Sequence, residues 1–208
     1  MGNTRGLYIV IEGLDGAGKT TQHELLKAAL TAKGHDVIDV FEPGGTPIGN
    51  AVRQVLKDGS LERTPESNFD LFTACRRELL VQVMLPALRA GKIVLSDRNW
   101  FTSVTIQSFG EGLSRNLIIE RSKEVMGDHF MPDVPLILDI SGAKAYERLQ
   151  SRGGQKADYF EKQGAAFLEK HHQGYLWIAT EFDVPLIDAT QDRETIHAQI
   201  MDYVDKAL

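Results

Sequence analysis

Cysteine is almost missing from this chain of 208 residues; Cys75 stands alone. A single thiol excludes an intrachain disulfide and a cysteine-rich zinc site. Long apolar runs are missing as well. The run Leu7-Tyr8-Ile9-Val10-Ile11 is far too short to span a bilayer, and no signal-peptide pattern precedes it. Met1-Gly2 would suit N-myristoylation only with Ser or Thr at residue six, where Gly6 stands. Basic excess is lacking too: 23 Lys and Arg against 29 Asp and Glu leave a formal charge of −6. That argues against a broad nucleic-acid face, which needs a basic surface. No repeat, long linker or low-complexity stretch divides the chain. A single cytoplasmic domain over residues 1–208 is expected, with no nucleic-acid or membrane partner.

What is present is concentrated near the start. Gly13–Thr20 reads GLDGAGKT, a match to G-x-x-x-x-G-K-[ST]. An apolar strand pattern precedes it, and a helical pattern with Leu25, Leu26, Ala29 and Leu30 on one side follows. Strand, glycine-rich loop and helix is the context of a phosphate-binding loop. Gly13, Gly16 and Gly18 let successive backbone N–H groups turn towards phosphate oxygens at the positive end of a helix. Lys19 can reach the β- and γ-phosphates, and the Thr20 hydroxyl can ligate Mg²⁺. Gly13, Leu14, Asp15, Gly16, Ala17, Gly18, Lys19, Thr20 and Thr21 are therefore the candidate ATP-binding residues. The alternative, a glycine-rich turn with a chance lysine, does not account for the flanking strand and helix.

Downstream the pattern alternates. Strands are expected at 7–11, 37–41, 93–96, 135–140 and 184–187. Helices are expected near 22–33, 48–57, 67–89, 115–126, 143–151, 161–181 and 194–207, with Pro86 kinking or breaking the third near its end. Such alternation implies an α/β protein of P-loop NTPase type, a five-stranded parallel sheet flanked by helices on both faces.

Four further segments carry chemistry. Glu42-Pro43-Gly44-Gly45 follows a strand, at the sheet edge where ligands bind in open α/β folds, and Glu42 and Pro43 are candidate substrate contacts. By itself the segment also reads as a plain turn. Phe72 and Arg76 share a helix face and could stack on a base and hold its edge, although a core Phe with a surface Arg is the commoner meaning of that spacing. Asp97-Arg98 ends an apolar strand beside the phosphate loop. Asp97 stands where a Mg²⁺-ordering carboxylate belongs and Arg98 where it can neutralise an acceptor phosphate; the plainer reading is a strand-end ion pair. Finally, Arg148, Arg152 and Lys156 recur four apart around Gly153-Gly154. A solvated charged face is one reading, and a basic lid near 148–160 is the other.

Together these motifs resemble the bacterial thymidylate kinases, nucleoside monophosphate kinases that make dTDP from dTMP and ATP. The ordered set carries the resemblance: the loop with Asp15, Glu42-Pro43-Gly44-Gly45-Thr46, Leu71-Phe72 with Arg76, and Asp97-Arg98 with Ser103 and Gln107. Arg148/Arg152 and Asp188-Ala189-Thr190 complete it. It implies that Phe72 stacks on thymine and Arg76 meets its carbonyl edge. It also implies that Asp15 meets the 3′-hydroxyl, that Arg53 and Arg98 hold the acceptor phosphate, and that Ser103 and Gln107 complete the base pocket. Arg148 would lie near adenine. Because the loop contains no arginine, a lid arginine, Arg152, would supply transition-state charge. Mg²⁺ and a homodimer built on the helix from about residue 67 are implied as well. The chain departs from the family pattern at Phe41, Asn99 and Tyr159, where Arg, Tyr or His, and Arg are usual. Rival readings are a kinase for another nucleotide or nucleoside, a nucleotide-dependent switch, and an interaction domain with a relic loop. A switch would hydrolyse ATP without an acceptor, and the guanine-specifying Asn-Lys-x-Asp is absent.

Overall fold

The computed structural model describes residues 5–151 and 164–208. Five strands, β1 Tyr8–Gly13, β2 Val37–Phe41, β3 Ile93–Asp97, β4 Val134–Asp139 and β5 Leu186–Asp188, form one sheet in the order β2-β3-β1-β4-β5. Every neighbouring pair is parallel. β1 therefore lies in the middle, and the register sets Ile11 opposite Asp97 and Gly13 opposite Leu138. Both faces of β1 are covered. Ile9 and Ile11 enter one apolar core with Leu26, Leu30 and Leu95, while Tyr8 and Val10 enter another with Leu79, Leu80, Met84 and Val94. That alternation explains why the strand reads as an unbroken apolar run.

Around the sheet lie α1 Lys19–Ala32, α2 Pro47–Lys57, α3 Pro65–Leu79, α4 Leu85–Arg89, α5 Trp100–Ser103, α6 Arg115–Met126, α7 Gly142–Ser151, α8 Ala165–Phe182 and α9 Arg193–Asp205. Local chemistry sets several starts. Thr46 accepts from Gly49 N–H at 3.0 Å with Pro47 at the first helical position, and Asp192 accepts from Thr195 N–H at 2.8 Å. Ile196, Ile200 and Val204 are buried, as the four-residue spacing predicts.

Two departures from the sequence pattern matter. The expected helix over 67–89 does not break at Pro86. A π-helical stretch, Leu80–Met84, joins α3 to α4 just before the proline, with Leu85 N–H bonded to the Leu80 carbonyl. The wider turn absorbs the irregularity that an imino acid brings into a helix. The second is a helical segment that the periodicity did not predict: α5 runs into a π-helical stretch, Val104–Gly110.

Candidate active site

The P-loop leaves β1 at Gly13, whose φ of 140° favours glycine; a Cβ there would lie 2.6 Å from the Leu138 carbonyl oxygen. Ala17 and Leu14 are buried, and α1 begins at Lys19 with Thr20 and Thr21 in its first turn. Lys19 Nζ donates to the Leu14 carbonyl at 3.1 Å and lies 3.4 Å from Asp15 Oδ1. Burial and the nearby Arg98 both draw the Lys19 pKa down, against the pull of Asp15. From the far side, Arg148 Nη1 donates to the Gly16 carbonyl (3.2 Å) and Nη2 to the Ala189 carbonyl (3.0 Å). The end of α7 is thereby tied to the phosphate loop and to the turn after β5.

Arg98 faces the loop across the same cleft. Its φ is 76°, an uncommon backbone for a residue other than glycine. Nη2 donates to Asp15 Oδ1 at 2.5 Å; Nη1 reaches Tyr175 Oη (3.2 Å), Thr102 Oγ1 (3.1 Å) and the Gly13 carbonyl (3.3 Å). Burial alone would raise the Asp15 carboxyl. Arg98 and then Lys19 outweigh it and hold Asp15 well below the usual carboxylate range. Behind Arg98 lies fully buried Glu12, which accepts from Asn99 N–H (2.8 Å), Thr102 Oγ1 (2.9 Å) and Tyr175 Oη (2.8 Å).

The other wall is built from α2, α3 and the segment after β3. Phe72 is buried and lines the cleft with Leu56, Ile106 and His171. Arg76 is also fully buried, which corrects the reading of a surface arginine: Nε donates to Glu42 Oε2 at 2.8 Å and Nη2 to Ser103 Oγ at 3.0 Å. Glu42 and Ser103 thus hold Arg76. Arg76, Ser103 and Gln107 lie behind the cleft surface, and among the described residues neither amide atom of Gln107 meets a partner at full hydrogen-bond geometry. Arg53 Nη1 donates to the Pro43 carbonyl at 2.7 Å, and its guanidinium stacks 5.1 Å from the centre of the Phe41 ring. P-loop, Asp97, Arg98, Arg53 and Phe72 open onto one cleft of about 520 Å³. Arg152, Gly153, Gly154, Lys156 and Tyr159, the expected lid, lie outside the described residues.

The thymidylate kinase family model matches residues 11–200. The chain is 40% identical over 198 residues to a thymidylate kinase of Nitrosospira multiformis, covering 94% of this chain and 95% of that one. It is 36% identical over 197 residues to that of Halothermothrix orenii, with 94% and 95% covered. The crystal structure of thymidylate kinase from Ehrlichia chaffeensis superposes with a TM-score of 0.74 at 27% identity, covering 97% of this chain and 99% of that one. The chain belongs to the thymidylate kinase family.

Within this thymidylate kinase fold the unusual residues have visible partners. Asn99 caps α5 by accepting from Phe101 N–H at 2.8 Å. The ring of Phe41 lies so close over Gly44 that a Cβ there would come within 2.1 Å of it, and the ring carries Arg53 on its face. A Mg²⁺ site fits as well. Asp97 Oδ1 is buried without a partner among the described residues, and Thr20 and Asp97 line the same cleft. Among the described residues no cluster of three or more His, Cys, Asp or Glu could hold a metal. A Mg²⁺ shared with substrate phosphates needs only one or two protein oxygens.

Sequence reasoning missed Glu12, Thr102, Tyr175 and His171. Glu12 carried a signal, since it is the one charged residue inside an apolar central strand. Tyr175 and His171 sit in a helical pattern where spacing alone reads as ordinary packing, and Thr102 sits in the segment after β3 where no pattern was visible.

Proposed function

We propose that this chain transfers the γ-phosphoryl group of ATP to dTMP, giving dTDP and ADP. One observation carries the reading: a P-loop lysine and an acceptor wall of Arg98, Arg53 and Phe72 share one cleft in a chain of this family. The reaction asks little covalent chemistry of the protein. An acceptor phosphate, with a second pKa of about 6, is already ionised near neutrality, so no general base is needed. Bringing two polyanions together is the larger difficulty. Lys19 and the loop amides oppose the charge on the donor, and Arg98 and Arg53 oppose that on the acceptor. Thr20 and Asp97 would hold Mg²⁺, which would supply neutralising charge to the donor phosphates. By the family resemblance, Phe72, Arg76 and Gln107 recognise thymine, Asp15 the 3′-hydroxyl and Arg148 the adenine side. Arg152 would supply charge in the transition state.

Two coarser features frame the proposal. No helix among the described residues is long and apolar enough to cross a membrane. Val81, 57% exposed on the stretch between α3 and α4, supports a homodimer through that face; light scattering at micromolar concentration should give twice the chain mass. The main test is ADP release with Mg-ATP across a panel of acceptors. dTMP should exceed dCMP, dGMP and thymidine, and ATP alone should turn over negligibly. Acceptor-independent hydrolysis, or preference for another acceptor, would overturn the reading.

A further inference from the structure

Arg98 presents two guanidinium edges, and the fold treats them differently. The Nη1 edge is engaged three times, by Tyr175 Oη, Thr102 Oγ1 and the Gly13 carbonyl. Its hydroxyl partners are themselves fixed, since both Tyr175 and Thr102 donate to the buried Glu12 carboxylate. The Nη2 edge meets Asp15, whose side chain is 42% exposed in the cleft. One oxygen of Glu12 also accepts from Asn99 N–H at 2.8 Å, directly after the left-handed Arg98, and Ser96 Oγ donates to the Arg98 carbonyl at 2.7 Å. A single carboxylate therefore holds the backbone just after Arg98, through Asn99 N–H, and the Arg98 side chain through Tyr175 and Thr102, with Nη1 itself 3.9 Å from Glu12 Oε2. Glu12 is also the residue before Gly13, so the phosphate loop and the arginine opposite it are referenced to one point.

We propose that Glu12 and Tyr175 are positioning residues that fix the Nη1 edge of Arg98, leaving the Nη2 edge to exchange the Asp15 carboxylate for the acceptor phosphate. The inference rests on the reading of Arg98 as an acceptor-phosphate contact. Asp15 occupies with a carboxylate the place that a phosphate oxygen takes, and the exchange frees it to accept from a sugar hydroxyl. Arg98 need not search rotamers when the acceptor arrives, because only one edge changes partner. Tyr175 is well suited to this role. Burial and then Glu12 raise its pKa, so it stays a hydroxyl that donates to Glu12 and accepts from Arg98.

The test is a double-mutant cycle on dTMP binding without ATP, with dissociation constants and melting temperatures measured for wild type, Tyr175→Phe, Arg98→Ala and the double variant. Loss of a hydrogen bond to a charged group should weaken dTMP binding roughly tenfold in Tyr175→Phe, while the KM for ATP stays near wild type and the melting temperature falls by only a few degrees, for the one donor lost from Glu12. In the Arg98→Ala background the same substitution should change dTMP binding no further, since its effect passes through the arginine. Thr102→Val should behave in the same direction and be equally silent without Arg98, so the test survives if one variant folds poorly. Equal losses in both backgrounds, or no loss from either substitution, would overturn the positioning role. If Arg98→Ala itself binds dTMP like wild type, the acceptor reading of Arg98 fails, and that outcome is distinct from additivity.

Discussion

Lys19 is held inward by the loop that carries it, through the Leu14 carbonyl and Asp15. Its ammonium is thus placed before any phosphate arrives, which is the condition under which a fixed charge lowers a barrier most. Lys19→Met keeps the buried stem and removes the charge. Transfer to dTMP should fall about 100-fold or more, as for loss of a transition-state donor, with circular dichroism and melting little changed. Arg76 presents the opposite balance. It is enclosed with Glu42, so Arg76→Ala strands a buried carboxylate and should cost about 3–5 kcal/mol in urea melts. Burial already raises the Glu42 pKa against the pull of Arg76, and losing that pull raises it further. A carboxyl whose folded value exceeds its unfolded one contributes stability below the unfolded value and loses it as pH rises through the folded one. The deficit of Arg76→Ala should therefore shrink between pH 8 and pH 5, and adding Glu42→Gln should recover much of it. The acceptor KM should rise more than the ATP KM.

At the level of elements, the five strands and most helices were legible because their signals are local. β1 and β3 are short apolar runs buried on both faces, and α9 repeats its core residues every four positions. The helical segment over 100–110 was not legible. Its Thr-Ser-Val-Thr-Ile stretch is β-branched and carries no amphipathic stripe, since Trp100, Phe101, Val104, Thr105 and Gln107 are all buried. Enclosure by α8, rather than propensity, makes it helical, and its π geometry shifts the register that spacing rules assume. The same limit applied at the site. GLDGAGKT announced a loop, yet the Glu42–Arg76–Ser103 link joins three elements distant in sequence, which spacing within one helix could not reveal. The loop itself yields a prediction. At Gly13 an added methyl meets the Leu138 carbonyl of the neighbouring strand, and φ is unfavourable for any other residue. Neither obstacle can relax without moving the sheet. Gly13→Ala should lose at least about 1–3 kcal/mol, on the scale of a strained backbone, together with most activity; Gly18→Ala, where nothing among the described residues lies within 4 Å, should suffer only the backbone penalty.

On the scale of the whole molecule, His171 couples the cleft to acid stability. Burial, and then Arg98, lower its pKa to about 3. A base whose folded value lies below its unfolded value contributes fully above the unfolded value, near 6.5, and that contribution is lost as pH falls towards 3. By pH 5 the loss amounts to about 2 kcal/mol from this group. His171→Gln does not titrate, so its urea-melt stability should fall less between pH 7.5 and pH 5, by about that amount; equal falls would mean that His171 is charged in the folded protein.

The strand order leaves β2 at one border of the sheet, with the sequence VIDVF. Asp39 is its only charge, set at the middle of the strand and paired with Lys27 at 2.9 Å. A flat apolar border strand is a template on which another chain can dock backbone to backbone, and a charge at its centre blocks that growth. Asp39 lines the mouth of the cleft, but its wider effect is on how the protein keeps. Replacing it with valine would give VIVVF, five consecutive apolar residues on an open border, and stock solutions should then turn to fibrous aggregate on standing even while each molecule still folds.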